Sequence, residues 1–586
     1  MAETLLLETT LPRTLDAWVQ RFEQPQWRGA TVEGWLFEGA QARRAAEQRL
    51  RSAGVQATLR SAYKPLVHFF LEEVERGALG AVTVRYPVHP RASDRRFLLE
   101  AYPLAAMLPG CALEFVAGNA DLHYELELTR KDGRRQQLKV FAPNRSHAGP
   151  TGVEHLSPTG WLRVRGDTQP AIDVAQQTEH EQVFEQVLRI AKDHPWPKTE
   201  PYFQRLDIRV DLPGIEQALP FLDECISTHE ALHEDIYFSL LEIFQRRSGR
   251  APGDRRLQPG QIVPDIRKSD GAPRLRIALR GFELSAPVPV EAEADAEVPL
   301  HLLGAAPSPA RIAAEMERLR GQRFGALSLQ GRPVAGLHHH EGPAAPVFIS
   351  GGQHANETSG IVGALRAASA LQKQGQGHFA LVALENPDGY ALQRELSAHN
   401  PAHMQHAARY SALGDDIEYR DQEPWYERDA PQHAIAVCGA QLHLNLHGYP
   451  AHEWTRPWSG YLPQGFELWT VPKGFFLVLR HHPGWQAEAR ALLEQVCAAL
   501  KQVPGLADYN ARQLALYQRH AGEVPFEVIH GLPCSVSEVD RPGAPVTLVT
   551  EFPDETVHGD AFRFAHTVQM ETVLAAVRAW QSLARR

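Results

Sequence analysis

A short apolar run, Val347-Phe348-Ile349-Ser350, stops at the pair Gly351-Gly352 and is followed at once by Gln353-His354-Ala355-Asn356-Glu357. An apolar run of this length between turn formers reads as a buried strand. A strand that breaks at glycine and then offers an imidazole and a carboxylate fits the way an α/β sheet presents its site residues, at strand ends. With a helical turn beginning there, positions i and i+3 share a face, so His354 and Glu357 converge on one cation. That donor pair suits zinc, whose catalytic sites take three protein ligands and leave a fourth position open.

The spacing alone decides little, because His338-x-x-Glu341 and His520-x-x-Glu523 repeat it in a chain with 28 histidines. A third ligand and a base are needed. Gln441-Leu-His-Leu-Asn-Leu-His447-Gly448-Tyr449 alternates polar and apolar residues as a strand does and delivers His447 at its end, beside a glycine. Val546-Thr-Leu-Val-Thr-Glu551-Phe552-Pro553 is a second strand-like run with an acid at its close. A carboxylate in an apolar strand is costly to bury unless it has a partner or a task.

In this order, with Asn386-Pro387-Asp388-Gly389-Tyr390 between the first and third pieces, the constellation resembles the zinc carboxypeptidase family of the carboxypeptidase A type. It resembles the related aspartoacylase and succinylglutamate desuccinylase group slightly more remotely. The resemblance covers residues 320 to 586. It implies a zinc ion held by His354, Glu357 and His447, with Glu551 as general base; His2Glu is the ligand set already known for carboxypeptidase A. It also implies that Arg409, in Ala407-Ala408-Arg409-Tyr410, serves the oxyanion. Zinc acidifies a water and polarises the scissile carbonyl, and a nearby carboxylate moves the proton to the leaving amine.

The chain departs from the family where the substrate's terminal carboxylate is held. In place of an Asp-x-Asn-Arg-Asn segment it has Gly414-Asp415-Asp416-Ile417-Glu418-Tyr419-Arg420, which keeps an arginine but has no counterpart of the asparagine. Arg420 is the candidate carboxylate grip, since bidentate recognition is arginine work. Tyr449, His452 and Arg456, just past the third ligand, are candidates to complete the substrate site. Cys534 to Arg541 is the candidate specificity region.

A rival motif is His229-Glu230-Ala231-Leu232-His233, the HExxH of zincins, in a helix-like run. No third histidine follows at the metzincin spacing, and Glu242 falls about 180° around the helix from His233. With Glu234 and Asp235 next to it, the run reads as a solvated helix face.

At 586 residues the chain is too long for one core. Net charge is -10 and pI about 6.3, which argues against non-specific binding to nucleic acid or anionic membrane. Five scattered cysteines with no CxxC suggest reduced thiols in a cytoplasmic protein, and no leader or spanning segment is read. The composition marks a Pro/Ala/Glu-rich linker at 286–300 between an α+β region at 1–285 and a second domain at 301–586, for which the resemblance implies a zinc carboxypeptidase-like domain. In the last, strands alternate with helices, an α/β sandwich; the resemblance implies a mixed, mostly eight-stranded sheet. Gly249 to Pro273 reads as a loop.

The expected function is zinc-dependent amide hydrolysis, first as a carboxypeptidase acting on a peptide. The alternatives are an N-acyl amino acid deacylase, or a metal-binding pseudoenzyme serving as a binding module. Oligomeric state and the role of the N-terminal half are not legible.

Overall fold

The computed structural model of the chain describes residues 3–166, 171–282, 297–375, 377–461 and 469–584. Most of the expected linker, 286–296, lies outside the described residues.

The C-terminal half is built on a mixed nine-stranded sheet. Its order is Gln322–Leu327, Pro333–Glu341, Gly377–Val382, Val347–Gly351, Leu442–Pro450, Val546–Glu555, Phe476–His481, Leu532–Glu538 and Glu527–Ile529. The sheet has one strand more than the expected eight, and its shortest member is the edge piece Glu527–Ile529. Val347–Gly351, Leu442–Pro450 and Val546–Glu555 run parallel at the centre.

Period-two alternation sorts the side chains of these central strands. Leu442, Leu444, Leu446, Leu548, Phe552, Leu477 and Leu479 pack into one core with the helices Ser359–Lys373, Gln486–Leu500 and Asp560–Ala584. The other phase, His443, Asn445, His447, Val549, Glu551 and Phe476, therefore points to the opposite face. On that face the helix Asp429–Cys438 covers the sheet toward its Gln322–Leu327 edge, packing on Val334, Phe348, Ala380 and Val382.

The N-terminal half is α+β, with three four-stranded sheets. The hairpin expected at Asp132-Gly133 joins His123–Arg130 to Arg135–Phe141. The segment read as a loop at 249–273 instead contains the strand Gln261–Lys268, parallel to Arg205–Leu212. The core of this half continues into Met404, Ala407, Ala408, Trp454 and Trp458 of the C-terminal half.

The helix Thr228–Ser248 lies at that junction, and its polar residues are not solvated as expected: His229, His233, Glu234 and Asp235 are all buried. A second polar layer meets them. Glu234 accepts from His406 Nδ1 at 2.5 Å and Trp454 Nε1 at 3.1 Å, and Asp235 accepts the backbone N–H groups of Trp458 and Ser459.

Candidate metal centre

His354 and Glu357 sit in a turn, not in the first turn of a helix as expected. Gly352 turns the chain at φ +60°, Glu357 N donates to His354 O at 3.1 Å, and the helix begins at Ser359. The carboxylate of Asp554 receives Ser359 N at 2.8 Å and so anchors that helix start to the central strand. The i, i+3 approach survives because a turn closes the same span.

Three donors converge. His354 Nδ1 lies 2.9 Å from Glu357 Oε1, His447 Nδ1 lies 2.8 Å from Glu357 Oε2, and the two Nδ1 atoms are 3.0 Å apart. Donors about 2.0–2.1 Å from a tetrahedral zinc stand about 3.3 Å from each other, so the spacing of the imidazoles fits that ion. His354 Nε2 faces Asp416 Oδ2 at 3.5 Å, an ion-pair contact longer than a hydrogen bond that orients the ring. The His447 backbone is fixed on both sides, its N–H by Thr550 Oγ1 and its carbonyl by Gln569 Nε2 at 2.8 Å. Gly448 is required next to it: a Cβ there would come within 1.9 Å of Asp554 Oδ1, while its N–H donates to Glu357 Oε2 at 3.1 Å.

The electrostatics separate the two acids. Burial opposes ionisation of Glu357, but the charges of His354, Arg409 and His447 outweigh it and hold that carboxyl well below the ordinary range. Glu551, in register with His447 on the adjacent parallel strand, is pushed well above it by burial and by the charge of Glu357. A bound cation would reverse the second effect. Nearby, Lys473 Nζ has no hydrogen-bond partner among the described residues, lies 4.9 Å from the Tyr449 ring centroid, and is brought down to about 7 by burial.

Arg409 Nη1 donates to Glu357 Oε1 at 2.5 Å, and its Nε is a buried donor with no hydrogen-bond partner among the described residues. Asn386, from the Asn-Pro-Asp-Gly segment, caps the helix Pro387–Ser397 through Gly389 N and donates to the Tyr410 carbonyl at 3.1 Å. That turn thus positions the loop carrying Arg409.

The four residues expected at the substrate are each engaged with other partners. Arg420 is 2% exposed, paired with Asp415 at 2.7 Å and also bound to Glu427 and the Trp425 carbonyl, which leaves no fork for a carboxylate. Arg456 is buried against Glu242 at 2.7 Å and Ser459. Tyr449 is on the site face, but its hydroxyl donates to Gly474 O at 2.6 Å. His452 Nε2 is 2.6 Å from Glu230 Oε2, away from the converging donors.

Three further cations lie near the site, and of them Arg541 alone, at the end of the candidate specificity region Cys534 to Arg541, falls in a segment that sequence reasoning singles out for it. Arg480 and Arg541 share the single acid Glu418, at 3.2 Å and 2.5 Å, and each of the three side chains is between one-fifth and one-third exposed. Arg480 belongs to the same strand phase as Phe476, the register partner of Glu551. Arg255, from the N-terminal half, lies over the Tyr419 ring and reaches Asp416 at 3.5 Å. Arg480 carries a sequence signal, a charge in the alternating strand Phe476–His481; Arg255 carries none.

The HExxH histidines are otherwise engaged. His229 contacts Glu216 Oε1 at 2.7 Å and the Leu212 carbonyl at 3.0 Å, and His233 contacts the Pro264 carbonyl at 2.8 Å. Neither histidine belongs to a group of three close metal donors among the described residues, and their contacts hold a junction together.

No protein-family model and no curated protein matches the sequence. The fold is similar to several solved structures. One is a metallo-carboxypeptidase from Burkholderia cenocepacia, at 16% identity and TM-score 0.29, covering 54% of this chain and 76% of that one. Another is a metallo-carboxypeptidase from Pseudomonas aeruginosa in complex with (2-guanidinoethylmercapto)succinic acid, at 14% and 0.29, covering 54% and 74%. A third is thrombin activatable fibrinolysis inhibitor, at 9% and 0.31, covering 50% and 79%. At these TM-scores and identities the likeness says nothing of the reaction, which the side chains have to decide. No helix among the described residues is long and apolar enough to cross a membrane.

Proposed function

We propose that the chain is a zinc-dependent hydrolase of an amide bond, acting as a carboxypeptidase on substrates with a free carboxylate. The observation that carries this reading is the convergence of His354 Nδ1, His447 Nδ1 and the Glu357 carboxylate, with Glu551 in register beside His447. Bound there, zinc would supply a Lewis acid and a water acidic enough to lose its proton near neutrality.

The remaining work falls to the chain. Glu551 takes the proton of the attacking water and returns it to the departing amine. Arg409 Nε, which has no hydrogen-bond partner among the described residues, donates to the oxygen on which negative charge builds. Arg480 and Arg541 hold the substrate's carboxylate: with only Glu418 between them the pair keeps one uncompensated positive charge. This grip takes the place of the one expected at Arg420.

The test is a metal-stripped and zinc-restored screen over N-blocked dipeptides, their C-terminal amides and N-acyl amino acids. Zinc-restored cleavage of the free-carboxylate dipeptides, with the amides resistant, is the expected result. Equal cleavage of amides and free acids would end the carboxypeptidase reading, and turnover confined to N-acyl amino acids would replace it with a deacylase. Zinc bound with no turnover of any of them would leave a binding protein.

A further inference from the structure

At the far end of the sheet from the catalytic donors, three more metal-binding side chains meet. His338 is on Pro333–Glu341, His378 is on the neighbouring strand Gly377–Val382, and Cys438 is the last residue of the helix Asp429–Cys438. The strands set this up: His338 is opposite Ala380 and His340 opposite His378, so all four side chains share the face that the helix covers. The helix stops at Gly439, and the histidines fill the rim it leaves uncovered.

The distances suit an ion. His338 Nε2 and His378 Nε2 are 3.1 Å apart, close to the 3.0 Å that separates the two catalytic imidazole nitrogens and to the span of about 3.3 Å at tetrahedral zinc. The Cys438 sulfur and one ring nitrogen of each histidine lie within 4.8 Å of one another. His378 also hydrogen-bonds the backbone of Ala344, the kind of outer contact that fixes a ligand ring. His340 stacks on His378 with ring centroids 4.2 Å apart, so a fourth imidazole stands at the rim. Cys438 ends its helix, where the carbonyl end of the helix dipole favours positive charge.

We propose that His338, His378 and Cys438 form a second metal site, separate from the catalytic centre, for a thiophilic divalent cation such as zinc. Two imidazoles and a thiolate are the donor types such an ion selects. Coordination would tie the strand Pro333–Glu341 to the end of the helix that packs on it. The site uses the His338-x-x-Glu341 repeat of the catalytic spacing, but pairs its histidine across strands and leaves Glu341 out.

A thiol is absent from His354, Glu357 and His447, so cobalt substitution distinguishes the two sites. Cobalt-loaded wild type is expected to show a thiolate-to-cobalt charge-transfer band. The band should persist in His354→Ala and in Cys225→Ser, and disappear in Cys438→Ser and in His338→Gln. His338→Gln, at a partly exposed position, guards against a folding defect in the buried cysteine variant. Catalytic cobalt uptake should be unchanged in both. Absence of the band from wild type, or its survival in Cys438→Ser, would overturn the proposal; loss in Cys225→Ser would move the site to the Cys225, Glu230 and His452 group. None of these readouts depends on turnover, so the proposal stands or falls apart from the hydrolase reading.

Discussion

His447 and Glu551 are register partners on the adjacent parallel strands Leu442–Pro450 and Val546–Glu555, one of the three converging donors directly beside the proposed base. Both belong to the strand phase opposite the leucines, so the packing of Leu444, Leu446 and Leu548 against the helices is also what aims the site. Glu551→Gln keeps the shape and removes the proton acceptor. Turnover should fall by about 10²–10⁴-fold with zinc content unchanged. A variant within a few-fold of wild type would show that another group activates the water.

The donor geometry predicts which histidines matter for the metal. His354→Ala, Glu357→Ala and His447→Ala should each lose the catalytic zinc, measured by elemental analysis in Cys438→Ser so that only this site is counted. His229→Ala and His233→Ala should keep it. They should instead lower stability by about 1–3 kcal/mol, because Glu216 and the carbonyls of Leu212 and Pro264 lose buried donors. Zinc lost in the second pair alone would transfer the site to the HExxH.

Local pattern made the centre legible and nonlocal contact hid the rest. The alternation in 441–447 and the glycine pair mark His354, Glu357 and His447 as candidates, and it is their order around Asn386-Pro387-Asp388-Gly389, through the family resemblance, that joins them into one set. The helix starts at Ser359, after both donors and not with them, where Asp554, 195 residues on, supplies the acceptor for Ser359 N. The helix of the HExxH looked solvated because its partners, His406, Trp454 and Ser459, come from the other half of the chain. Arg420 looked free because an ion pair with Asp415, five residues away in irregular chain, follows no periodic rule. Arg255 reaches the site only through the packing of one half on the other.

Arg409 and Arg420 should separate in kind of defect. Arg409→Ala removes a donor beside the reacting centre, and kcat should fall by about 10²-fold or more with a modest change in KM. Arg420→Ala leaves Asp415 buried without its cation, and stability should fall by about 3–5 kcal/mol. Its folded fraction should keep a near-normal KM. A large rise in KM without a loss of stability would restore Arg420 to the substrate site, and a comparison with Arg541→Ala, expected to raise KM for free acids more than for amides, completes the test.

The buried acids of the junction predict a pH dependence of stability. Burial pushes the Glu234 carboxyl up to about 8, against an ordinary value of 4.5. Below about pH 4.5 the group is protonated in both the folded and the unfolded chain. Between there and about pH 8 the folded chain holds a proton that the unfolded chain has released, so stability falls as pH rises, by up to ~1.4 kcal/mol per pH unit for this one group. Above about 8 the loss is complete. Glu234→Gln keeps an acceptor for His406 Nδ1 and Trp454 Nε1 and removes the linked proton. Urea unfolding midpoints across this range should therefore decline less steeply in the variant than in wild type, with a residual slope from Asp235 and Asp554, each pushed up to about 7. Parallel slopes in the two proteins would show that Glu234 is ionised in the fold, with a protonated His406 as its partner.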